Sequence, residues 1–272
     1  PPIYSTVRFR LLSMQLLQQT LANWQQWKPT RSAISAQPVV LRELTGGRTN
    51  RSFLVGSGEV KAVVRINAPN SVSLGIDRQR ERLILECLAP TNAVPKVLFY
   101  ADNVLVTTFH EGRLWTDEDS RSGRQIALLN RLLLRIQAVE VSQLPRRNYV
   151  AYCQAYIDQL DSAFATKGLQ QTILTAAAAI DAADWPGVIC HHDLVAENIL
   201  VTEGGLIVLD WEYAAVGHPA LDALRFHRTD RPFSCVNSEL DRESLKQLTI
   251  LLRGMDDLWS LLQTQSRGAV YE

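Results

Sequence analysis

Apolar and polar positions change their rhythm several times along this chain. In VRFRLLSMQLLQQTLANWQQW, residues 7–27, the apolar stretch is broken by Ser13, Gln15, Gln18 and Gln19, and no small-residue cleavage site follows. It is too short and too polar for a membrane span, so it reads as an amphipathic helix. Four short runs rich in Val, Leu and Phe come next: PVVLRELTG, RSFLVGSG, EVKAVVRINA and VLVTTFHEG. Gly and Asn punctuate them, which predicts strands. Alternation over residues 60–66 sets Lys61, Val63 and Arg65 on one face and Ala62, Val64 and Ile66 on the other. Among these strands lies GIDRQRERLILECLAP, of helical length and closed by Pro90.

From about residue 115 helical spacing takes over. Leu129, Leu132, Leu133 and Ile136 follow the i, i+3, i+4, i+7 rule and form one stripe. Residues 149–184, ending in the alanine run 176–179, and LDRESLKQLTILLRGMDDLWSLLQ also read as helical. Between them ICHHDLVAENILVTEGGLIVLDWEYA, residues 189–214, inserts short apolar strands separated by polar groups. The pattern predicts an α+β chain of two lobes: a small β-rich part, residues 1–111, and a larger mostly helical part, residues 112–272. The hinge falls near Thr107 to Gly112.

Composition narrows the function classes. With 272 residues, 46% of them hydrophobic, one large domain or two modest lobes can each bury a core. The 28 basic and 28 acidic residues cancel, which gives no support to a general nucleic-acid binder. Arg78, Arg80 and Arg82 are expected to form a solvated helix face. Cys87, Cys153, Cys190 and Cys235 lie far apart with no paired motif. That points to a reducing, cytoplasmic compartment rather than a disulfide or structural zinc framework. The missing initiator Met suggests a trimmed or processed chain.

The chemistry concentrates in residues 189–214. Asp193 and Asn198 are five apart between two predicted strands, and Asp210 ends a third strand 17 residues after Asp193. A tight strand-turn-strand would return Asp210 to Asn198. A carboxylate and an amide oxygen form a hard-oxygen pair suited to Mg²⁺, whose other ligands are water and phosphate oxygens. Asp193 is then free to take a proton from a hydroxyl nucleophile. This is the phosphoryl-transfer arrangement of the protein-kinase fold, a loop H-x-D-x-x-x-x-N followed by a metal-binding Asp. His191 is expected to brace the loop, and His192 has no assigned role. Phosphate contacts are expected from Gly46 and Gly47, whose backbone allows close approach, with Thr49 or Asn50 as side-chain donors. Lys61 or Arg65 should pair with Glu81 or Glu86. The guanidinium fork of Arg65 and its position in the strand favour Arg65 with Glu81.

These pieces resemble the choline kinase and aminoglycoside phosphotransferase superfamily, most of all its bacterial choline/thiamine kinase branch. LTGGRTNRSF, VVRINAPN, GIDRQRE, HHDLVAENIL and LDWEYAAVGHPALDAL carry the resemblance across residues 40–225 in the family's order. It implies a protein-kinase-like fold that uses ATP and Mg²⁺. Arg65 would stand in place of the usual lysine, with Arg78 and Glu81 from the D-R-x-x-E segment. Asp193 would be the catalytic base, and Asn198 and Asp210 the metal ligands. His218 departs from the pattern, where relatives often carry an acidic residue.

Trp211, Glu212, Tyr213 and Asp222 offer an aromatic face with carboxylates, which suits an organic cation such as choline, ethanolamine or thiamine. The competing reading makes Trp211 and Tyr213 core aromatics beneath the cleft. Trp115, Tyr152 and Tyr156 are further candidates for the pocket wall. The expectation is therefore a small-molecule kinase acting on a hydroxyl, with nucleotide and metabolite as its partners and no membrane span. The alternatives are an aminoglycoside or sugar phosphotransferase, disfavoured by the aromatic WEY run, and a non-catalytic nucleotide-binding module. A zinc hydrolase on His191, His192 and Asp193 is poorer, because neighbouring residues of an extended segment point to opposite sides.

Overall fold

The computed structural model describes residues 2–28, 34–44, 50–69, 71, 74–141, 144–161, 166–227 and 242–268. It opens with helix α1, Pro2–Ala22, followed by strands β1 (Val39–Leu44), β2 (Arg51–Ser57) and β3 (Val60–Ile66). Helix α2, Arg78–Leu88, precedes β4 (Val97–Ala101) and β5 (Val104–Thr108). The five strands form one antiparallel sheet in the order β1-β2-β3-β5-β4. One face of β2 and β3 buries Phe53, Val55, Ala62, Val64 and Ile66 together with Leu17 and Leu21 of α1. Among the described side chains of α1, Ser13, Leu17, Thr20 and Leu21 are buried, so the inner stripe runs at helical steps. Arg51 ties helix to sheet by donating to the Ser13 hydroxyl at 2.6 Å and to Glu43 at 2.8 Å. The opposite face of β3 carries Arg65.

The second part begins with β6 (Arg113–Leu114), α3 (Asp117–Arg121), α4 (Gly123–Gln137), α5 (Tyr149–Ile157) and α6 (Lys167–Ala182). Strands β7 (Val188–Cys190), β8 (Ile199–Thr202), β9 (Gly205–Val208) and β10 (Ala215–Gly217) follow, then helices α7 (Leu221–His227) and α8 (Arg242–Gly268). The predicted stripe of α4 is buried as expected. It meets Ile84, Leu85 and Leu88 of α2 and Val208 and Trp211 in one cluster that joins the lobes. Helices α5, α6 and α8 build a separate core. There Ala176 and Ala177 let α8 come close, and a Cβ on Gly254 would stand 2.5 Å from Ile173.

The structure departs from the sequence reading in several places. The stretch 149–184 is two helices, because α5 ends at Ile157 and the chain turns before Thr166 caps α6. Strands β4, β6 and β10 and helices α3 and α7 were not anticipated. Cys87, Cys153 and Cys190 are free thiols, while Cys235 lies outside the described residues. Among the described residues no helix is long and apolar enough to cross a membrane.

Candidate active site

Antiparallel pairing of β8 with β9 sets Ile199 opposite Val208. The ladder continues one residue further, with Leu209 N–H donating to Asn198 O at 2.8 Å. Asn198 and the residue preceding Asp210 are therefore direct neighbours across the hairpin. Asn198 donates its amide N–H to Asp193 O at 2.9 Å. That fixes which way the amide points and leaves Oδ1 unengaged among the described residues. Asp210 follows in the left-handed region, at φ 58° and ψ 64°, and starts the short turn Trp211–Tyr213. Such a backbone is costly for a residue with a Cβ and persists only where its surroundings impose it.

The loop carrying Asp193 is held almost entirely by its neighbours' main chain. Asp222 of α7 is buried and accepts from His191 N–H at 2.7 Å and His192 N–H at 2.9 Å. Burial raises the Asp222 carboxyl, and His191 with the two N–H donors offsets part of that rise. His191 donates through Nε2 to Leu209 O at 2.8 Å and accepts Asp193 N–H at Nδ1 at 3.3 Å. It thus bridges the two segments that bear Asp193 and Asp210. His192, at φ 65°, turns the other way. Its Nδ1–H donates to Cys190 O at 3.3 Å, and its Nε2 accepts the Tyr149 hydroxyl at 3.1 Å. Burial and the nearby Arg147 push its pKa well below the ordinary value, so the ring is neutral. Gly217 permits this arrangement, because a Cβ there would stand 2.6 Å from the Tyr149 oxygen.

From the other lobe Arg65 donates to Glu81 at 2.6 Å, to Asn67 at 3.0 Å and, more distantly, to Asp210 Oδ1 at 3.4 Å. Glu81 is 2% exposed and also accepts from Arg78 at 3.0 Å. Burial alone would raise its carboxyl, but Arg65 and Arg78 outweigh that and hold it below the usual range. Lys61 instead pairs with Glu111, and Glu86 with Lys28 and Arg82. Of the four pairings open from the sequence, the structure makes Arg65 with Glu81.

The Asp210 side chain keeps 43% of its surface open, yet protein surrounds it. Desolvation, reinforced by Glu212, raises its carboxyl to about 7 against the pull of Arg65. Its Oδ2 makes no hydrogen bond among the described residues. The Asn198 amide oxygen and Oδ2 of Asp210 are thus a hard-oxygen pair, chemically matched to Mg²⁺ completed by phosphate and water oxygens. Among the described residues no three His, Cys, Asp or Glu side chains gather as a metal-holding group.

Other expected site residues are placed differently. Gly46, Gly47 and Thr49 lie outside the described residues. Asn50 is described: its amide donates to Glu212 at 2.7 Å and accepts from Ala68 N–H and Arg78 at 3.1 Å each. Glu212 is buried and receives Arg78 at 2.9 Å. Trp211 is buried, spends its indole N–H on Val208 O at 2.9 Å and meets the His191 ring edge-on. With Asp222 holding the loop, three of the four residues expected to face the acceptor are engaged inside the protein. Tyr213 alone stays half-buried, in contact with Trp259 and close enough to Asp193 to be raised by its charge. His218 stacks on Trp185 and accepts Ala220 N–H, away from solvent. Trp115 is core, with its indole on Ser120, whereas Tyr152 is half-buried with Arg147 over its ring.

The expectation of a solvated arginine face is corrected. Arg78 joins Glu81 and Glu212 between the lobes, and Arg80 donates to Ala214 O at 2.9 Å. Residues two apart on a helix diverge by about 200°, so three at this spacing share no face. The sequence also gave no sign of Arg225, which donates to Asp193 Oδ1 at 2.9 Å and to Asp256 of α8. Its partners lie 32 and 31 residues away in a spacing no periodicity marks.

The family model described as "Phosphotransferase enzyme family" matches residues 40–246 of this chain. Ethanolamine kinase 1 of Homo sapiens is 23% identical over 236 residues, which are 79% of this chain and 50% of that protein. The chain spans about half the length of the curated relatives it matches. Among solved structures, LicA in complex with AMP superposes with a TM-score of 0.70 at 18% identity, covering 85% of this chain and 86% of that one. Choline kinase LicA from Streptococcus pneumoniae gives 0.67 at 19% identity, covering 83% and 87%. These likenesses show a fold of the choline kinase type, with the sheet lobe and helical lobe described above.

Proposed function

The chain belongs to the phosphotransferase enzyme family, and on that premise we propose that it is an ATP- and Mg²⁺-dependent kinase. Its acceptor is the hydroxyl of a small cationic or amino-alcohol metabolite. The observation that carries this reading is the convergence of Arg65 and Glu81 from one lobe on Asp210, Asn198 and Asp193 from the other. We divide the lobes at 111/112, where the chain leaves the five-stranded sheet after β5 and enters the pairing of β6 with β8. The similarity to ethanolamine and choline kinases supports the acceptor class, and the AMP-bound neighbour supports a nucleotide donor. The unpaired cysteines support a reducing, cytoplasmic setting.

In this reading Asn198 and Asp210 hold the metal, which when bound neutralises phosphate charge. Arg65, fixed by Glu81, carries positive charge to the phosphates, and its distant contact with Asp210 leaves the guanidinium room to turn toward them. Asp193 accepts the acceptor's hydroxyl proton through Oδ2, which has no partner among the described residues. Tyr213 and Trp259 are half-buried aromatics at the helical lobe, and we assign them to the acceptor's cation. Glu212, Trp211 and Asp222 support the site from within.

Metal dependence tests this reading. ATP affinity measured calorimetrically should rise more than about tenfold on adding Mg²⁺, and Asn198→Ala should remove most of that gain. Equal affinity with Mg²⁺ and with EDTA would contradict it.

A further inference from the structure

Resting on the kinase reading above, we propose that Arg225 is a positioning residue that sets acceptor specificity by the distance between hydroxyl and cationic centre. Arg225 sits on α7 and bridges two carboxylates, donating through Nη2 to Asp193 Oδ1 at 2.9 Å and through Nη1 to Asp256 of α8. It is 19% exposed at the side chain, against 33% for Asp193 and 52% for Asp256. The guanidinium is therefore fixed on one side of the catalytic carboxylate, with the other oxygen left to the acceptor.

An acceptor with hydroxyl and ammonium two carbons apart carries its cation within about 4 Å of the hydroxyl oxygen. That cation and Arg225 then crowd the same carboxylate. Asp193 and Asp256 keep the triad net negative, so Arg225 weakens the attraction without abolishing it. Two like charges about 6 Å apart cost from about threefold to about a hundredfold in binding across the dielectric range of a protein surface. A longer spacer escapes this repulsion and carries the cation toward Tyr213 and Trp259, where ring faces attract it. Arg225 thus shifts preference toward acceptors whose positive charge stands further from the reacting hydroxyl, relative to the same site without it.

The experiment is a spacer series. Linear amino alcohols from two to six carbons and thiamine are compared by kcat/KM with Mg-ATP in the wild-type chain, Arg225→Gln, Arg225→Lys and Asp256→Asn. In the wild type the ratio of kcat/KM for the best long-spacer acceptor to that for the two-carbon member sets the reference. Arg225→Gln should lower that ratio by about threefold or more, Arg225→Lys should keep most of it, and Asp256→Asn should widen it. A misplaced base would lower all acceptors together and leave the ratio fixed, so the ratio separates charge from structure. If Arg225→Gln does not fold, the widening in Asp256→Asn, at a half-exposed position, decides alone. A ratio unmoved by the variants overturns this role while the kinase reading stands. No ADP release with any acceptor overturns both.

Discussion

Asp193→Ala is expected to lower phosphoryl transfer by about 10³-fold or more while leaving ATP affinity within about threefold. The loop's conformation does not depend on that side chain. Asp222 holds the two preceding N–H groups, His191 ties the loop to Leu209, and Asn198 bonds the Asp193 carbonyl rather than its carboxylate. Removing the carboxylate takes away the proposed proton acceptor and frees one arm of Arg225, which keeps Asp256. Parallel measurement of ADP release and calorimetric ATP binding checks this. Loss of ATP affinity with loss of turnover would mean that Asp193 acts as a structural anchor.

Glu81→Ala should be the most destabilising single change at the site, by about 3 kcal/mol or more, and should also cripple ATP binding. One carboxylate, 2% exposed, receives both Arg65 and Arg78, so its loss strands positive charge where water cannot compensate. Arg78 retains Glu212 and Arg65 retains a distant Asp210, which keeps the cost at the lower end for a broken buried pair. Because the folded Glu81 carboxyl lies below its ordinary value of 4.5, its stabilisation is complete above that pH. It fades as pH falls from there through the folded pKa. Urea unfolding at pH 7 and near pH 3 reads both effects: the gap between wild type and variant should shrink in acid. A gap that stays constant contradicts the charge-based account.

The parts of the site legible in the sequence were those set by strand register and local spacing. Two-residue alternation put Arg65 on the face opposite the core, and the short hairpin placed Asn198 beside the segment that ends in Asp210. The i, i+3, i+4 stripe of α4 was equally plain because it depends on one helix alone. What stayed hidden depends on distant contacts. Trp211, Glu212 and Asp222 have the residue types of a cation pocket, yet burial and partners as far as 162 residues away in sequence commit them to the scaffold. Arg78 and Arg80 look like surface charge until α2 is packed against the turn at 211–213 and β10. Arg225 lies on a helix of seven residues, too short to show a face, and its meaning appears only when α8 brings Asp256 to it.

The central claim is that these groups transfer a phosphoryl group to a small cationic alcohol. The most direct test is ADP release with Mg-ATP, with thiamine, choline, ethanolamine and an aminoglycoside assayed side by side. The account predicts turnover on at least one of the three small cations, with a phosphate ester on the acceptor hydroxyl. ATP binding with no ADP release on any of the four would contradict it and leave a nucleotide-binding module without transfer chemistry on these acceptors.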